Sequence, residues 1–121
     1  MPANRPCHRA IGMMRGLLPG VRFSLVEHKG SWAFVGPQWE LLDPVSGLIW
    51  ALMSPVIAPE PTGGALLLSV CDTTEGRIGK EAVDAIRIPR ARSAKETARD
   101  LTAAYYELAQ AVELSGIESL V

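Results

Sequence analysis

Ser93 to Gly116 constrains this chain more than any other stretch, because its spacing leaves a long amphipathic helix as the economical outcome. Ser93 is placed to cap the helix. Glu96, three residues on, completes a capping box, in which the two side chains satisfy backbone N–H groups that have no partner inside the helix. No Gly or Pro occurs before Gly116, and Ala, Leu, Glu, Lys, Arg and Gln fill most of the segment. Ala98, Leu101, Tyr105, Leu108 and Val112 form one apolar stripe, with Ala94, Ala104 and Ala111 beside it. Lys95, Arg99, Thr102, Tyr106, Gln110 and Glu113 fall on the other side. Ser115-Gly116 is the expected stop, with Gly116 as a left-handed cap. A helix with one such stripe must lie on something apolar, and the middle of the chain supplies it.

That middle reads as strands. Val21 to His28 alternates, Lys29-Gly30 is a turn, and Ser31 to Gly36 is a second strand carrying Trp32 and Phe34. Pro37 predicts an edge, a bulge or a break, after which Trp39 to Leu42 resumes. Asp43-Pro44-Val45-Ser46-Gly47 is a turn: Asp bonds nearby N–H groups, Pro presets φ and Gly accepts positive φ. It joins Trp39–Leu42 to an apolar strand from Leu48 to Ile57 as a hairpin. Pro59, Pro61, Gly63 and Gly64 mark a loop, and Ala65 to Cys71 is a continuous apolar run suited to a buried strand. Lys80 to Ala85 is ambiguous between helix and strand, and Ile86 to Pro89 reads as a last short strand.

Short turns between neighbours favour antiparallel pairing. The expected fold is therefore α+β: an antiparallel meander of four to five strands with the long C-terminal helix on one face. Residues 1–20 are expected as an N-terminal arm. Within it Cys7, Ile11, Met14 and Leu18 share one face of a short helix that Gly12 and Gly16 weaken. Residues 21–121 then form a single α+β domain, and 121 residues fit that size.

Composition narrows the functional classes. The chain is 48% hydrophobic, with mean hydropathy +0.16, which is apolar for a small domain and points to an oligomer, a dimer being the expected form. Two cysteines, Cys7 and Cys71, make no disulfide framework. No leader peptide and no apolar run of membrane-spanning length is evident, so a cytoplasmic setting with free thiols is expected. Net charge is −1, but the charges are segregated. Residues 1–29 carry five basic side chains and one acid, and residues 30–75 carry five acids and no Lys or Arg. Residues 76–99 are basic again, and residues 100–121 carry only acids.

Three functional readings follow. The first is a non-enzymatic, homo-oligomeric interaction protein that makes contacts through an apolar sheet face or the tryptophan hairpin, with Trp32, Trp39, Trp50 and Tyr106 as interface candidates. The second is a binder of an anionic ligand or nucleic-acid backbone through Arg87, Arg90, Arg92 and Lys95, which precede or open the helix N-terminus. Against it, the same cations suit a solvated face, and Glu96 would repel an anion seated on that helix end. The third is a small enzyme with a carboxylate site near Asp72 and Glu75, a reading that a cleft holding both with His28 would favour.

Other patterns fail on spacing. Asp72 to Lys80 imitates a phosphate loop, but Thr74 stands where the first Gly is required and Glu81 follows Lys80 in place of Ser or Thr. Cys7, His8, His28 and Cys71 lack metal-ligand spacing, so neither metal nor cofactor is expected. The tryptophans have no interleaved cations, which argues against stacking on nucleic-acid bases.

Overall fold

In a computed structural model of the chain, the backbone is described for residues 5–62, 64–89 and 93–119. Side chains are described for residues 8–62, 64–89 and 93–112. The order of elements is α1 (Arg5–Leu17), β1 (Ser24–His28), β2 (Ser31–Val35), β3 (Trp39–Leu42), β4 (Ile49–Pro59), β5 (Leu66–Asp72), β6 (Glu81–Ile88) and α2 (Ala94–Ser119). This is the α+β meander with a long C-terminal helix.

Every strand pairs antiparallel with its neighbours in one sheet of order β1-β2-β4-β5-β6. The sixth strand, β3, shares a lane with β2, and both run along the same edge of β4. Phe34 pairs with Ile57 and Val35 with Val56, then Trp39 pairs with Met53 after the break at Gly36-Pro37-Gln38. The register slips by one residue across that break, so Pro37 sits at an irregularity, where its missing N–H costs no ladder bond. Gly36 is required there by space: a Cβ would lie 2.6 Å from Pro55 Cγ and 2.9 Å from the Phe23 ring.

Lys29 and Gly30 both have positive φ, 52° and 74°, which makes the two-residue β1–β2 connection and matches the twist of the strands. The β3–β4 turn forms as its residues dictate. Asp43 Oδ1 accepts the Val45 and Ser46 N–H groups at 2.8 and 3.3 Å, and Gly47 has φ 73°.

Both helices lie on one face. α2 buries Ala98, Leu101, Ala104, Tyr105, Leu108 and Val112, and α1 adds Ala10, Ile11, Met14 and Leu18. They close over Trp32, Phe34, Ile57, Leu68, Val70 and Ile88 from the sheet. Ala10, Ile11, Met14 and Leu18 of this N-terminal stretch thus belong to the same core cluster as the sheet and α2. The exposed Gly12 and Gly16 each cost about 1 kcal/mol of helix propensity, and the burial of four apolar side chains outweighs that.

The cap of α2 is present: Ser93 Oγ accepts the Glu96 N–H at 3.2 Å and donates to the Glu96 carboxylate at 3.3 Å. Two boundaries differ from expectation. α2 passes through Gly116 to Ser119, since glycine tolerates helical dihedrals and stops a helix only when the chain turns left-handed there. The ambiguous Lys80–Ala85 stretch is mostly strand, because β6 begins at Glu81 and pairs along β5 with two register shifts.

Candidate functional site

The second face of the sheet carries no helix. Its floor is built from small residues: Ala33, Ser54, Val56, Ser69 and Cys71, all buried. They are sealed by the β5–β6 connection, which folds back so that Ile78 packs on Ala33, Val56 and Cys71. A polar chain pins this loop. Ser54 Oγ and Thr73 Oγ1 are 2.9 Å apart, Gln38 Nε2 donates to Thr73 O and Oγ1, and Thr73 N–H donates to Leu52 O at 2.9 Å.

Two shallow cavities of about 490 and 530 Å³ flank Ile78, and His28 lines both. Cys71 lies on the floor of the larger. Burial pushes its thiol pKa up, and the Ser69 hydroxyl at 3.6 Å only partly offsets this, so the group stays protonated and serves packing.

Exposed large hydrophobic side chains include Met13, Leu17, Leu25, Val26 and Tyr106, and five more cluster in sequence at the tip of the β3–β4 hairpin. Val45 is 95% exposed, Leu48 70%, Ile49 51%, Leu42 49% and Trp50 48%. These five exposed side chains fall within nine residues of one hairpin. The sequence identified the hairpin and Trp50. Val45 stands within the Asp43–Gly47 turn, while Leu48, Ile49 and Trp50 open an apolar run much like the buried β5, so their exposure was not legible.

The four interface candidates divide. Trp32 is buried against α1, its ring 5.5 Å edge-on from His8 and 5.7 Å from Phe34, so this chain's own core occupies it. Trp39 is half-buried with its ring 5.5 Å from Tyr105. Trp50 and Tyr106 are exposed. His8 Nε2 is the one buried side-chain polar atom without a partner among the described residues, and it sits among these rings.

Of the basic segment, Arg87 and Lys95 lie among the described residues. Arg87 Nε donates to Glu60 at 2.8 Å, and that hydrogen bond, with the charge behind it, raises the Arg87 pKa. Lys95 is exposed on α2. Arg90 and Arg92 lie outside the described residues.

The carboxylate candidates do not meet His28. Asp72 accepts from the hydroxyl and the N–H of Thr74, the latter at 2.8 Å, which holds its carboxyl below the usual range. Glu75 pairs with Arg77 at 3.3 Å in solvent. Asp72 and Glu75 line a different hollow from the two that contain His28. Among the described residues, no three His, Cys, Asp or Glu side chains group to hold a metal, and no helix is long and apolar enough to cross a membrane.

Against known proteins, the chain matches no family model, no curated protein and no solved structure.

Proposed function

We propose that this protein is a non-enzymatic interaction protein that associates with itself, and that the β3–β4 hairpin makes the contact. The observation that carries this is the hairpin tip, where Leu42, Val45, Leu48, Ile49 and Trp50 stand exposed together. Holding these side chains in water forfeits roughly 25 cal/mol per Å² that burial would return, so a partner surface stabilises them directly. The turn beneath is rigid. Asp43 is bonded to two backbone N–H groups and Gly47 N–H closes the loop onto Asp43 O at 2.8 Å, so little ordering entropy is lost on docking. A buried free thiol at Cys71 suits a reducing, cytoplasmic setting.

Light scattering with sedimentation on the full chain at tens of micromolar tests this. The native chain is expected to run as an oligomer, and Leu48→Asp as a monomer of unchanged circular dichroism. A native chain that stays monomeric would remove the proposal.

A further inference from the structure

The hairpin needs a receiving surface, and a second feature of the fold supplies one. Between α1 and β1 lies a hollow of about 220 Å³ lined chiefly by Ile11, Gly12, Arg15, Phe23 and Leu25. It is smaller than the roughly 300–1,000 Å³ of small-molecule sites, and has room for a side chain. Leu25 is more than half exposed at its rim. A Cβ added to Gly12 would meet nothing within 4 Å, so the hollow stands open above the helix.

Charge distinguishes the hollow from the hairpin. Residues 1–29 carry five basic side chains against Glu27, and of these Arg15 lines the hollow while Arg9 and Arg22 are exposed on the same segment. The hairpin from Trp39 to Pro59 contains Glu40 and Asp43 and no basic residue. The hollow thus carries the Arg15 cation and the hairpin carries two acids, whereas two hairpin tips set against each other would bring acid to acid.

We infer that the hairpin tip of one copy docks into the α1–β1 hollow of a second copy, with Asp43 and Glu40 facing Arg15 at its wall. This rests on the self-association reading above and specifies its partner surface. The contact joins two different patches, so each copy offers one knob and one hollow, and assembly proceeds until it closes on itself.

A mixing experiment separates the cases. One variant has its knob blocked by Val45→Asp with Leu48→Asp. The other has its hollow blocked by Gly12→Trp, which fills it and removes a helix-weakening glycine; Arg15→Glu serves as a second blocker that leaves the packing alone. Each variant alone is expected to sediment as a monomer. Mixed in equal amounts they are expected to form a one-to-one heterodimer, because the intact knob of one meets the intact hollow of the other. Asp43→Asn, which retains the turn's acceptor, is expected to weaken native association several-fold and to flatten its salt dependence. If both hollow-blocked variants associate as the native chain does, or if the mixture yields no heterodimer, this docking surface is wrong while the hairpin reading stands. If the native chain is itself monomeric, both fall together.

Discussion

The two faces of the sheet reach burial by opposite means. The helix-covered face presents large side chains, Trp32, Phe34, Ile57, Leu68 and Ile88, and two helices interlock with them. The bare face presents Ala33, Ser54, Val56, Ser69 and Cys71, and one loop with a single inserted isoleucine suffices to cover them. A sheet face can therefore be closed by shrinking its side chains instead of adding a layer. Part of the apolar excess that suggested an oligomer is exposed at the hairpin tip.

The largest effect should come from the covered face. Leu68 is fully buried in the core on the helix-covered face, and Leu68→Ala is expected to cost about 3 kcal/mol in denaturant unfolding, the sum of lost transfer energy and residual cavity. On the bare face, Ile78 is half-buried and rests on only three small side chains. Ile78→Ala is expected to cost about 1 kcal/mol, with the loop held by Thr73 and its partners. Equal losses at the two positions would break the distinction between the faces.

This contrast also marks how much could be read from the chain. The period of Ala98, Leu101, Tyr105, Leu108 and Val112 announced α2, because an amphipathic stripe encodes both the element and the side that packs. The turn at Asp43–Gly47 was equally legible, since its geometry is local. α1 was blurred by Gly12 and Gly16, whose weak propensity is overridden by tertiary burial. β6 was blurred because Glu81, Asp84 and Arg87, exposed on an edge strand, break the apolar pattern. Which tryptophan would be free was not legible. Trp32 and Trp50 lie on similar apolar runs, and only the position of the helices decides that one is covered and the other is not.

The hairpin tip sharpens the comparison from a third side, since Leu42, Val45, Leu48, Ile49 and Trp50 belong to neither core. Val45→Asp is therefore expected to change unfolding stability of the isolated subunit by less than about 0.5 kcal/mol. Measured at dilutions where the chain is monomeric, a loss similar to that of Ile78→Ala would mean that the tip packs on its own subunit. The same substitution should still abolish association, and that separation of stability from assembly is what the exposed tip requires.

The smallest expected effect lies at Asp72, where β5 leaves the sheet and the covering loop begins. Its carboxylate accepts from the Thr74 hydroxyl and N–H, which lowers its pKa in the folded chain relative to the unfolded chain. The sign follows from linkage: a carboxyl with a depressed folded pKa adds stability above its unfolded value, about 3.9, and that stability is lost as pH falls through the folded pKa. Asp72→Asn retains an acceptor for the Thr74 N–H and removes the titration. Native chain and variant are thus expected to differ slightly in denaturation midpoint at neutral pH, and to converge as the pH drops below the carboxylate range. A gap that persists at the acid end would show that Asp72 shapes the loop through geometry alone, and the charge would then have no part in holding the lid over the bare face.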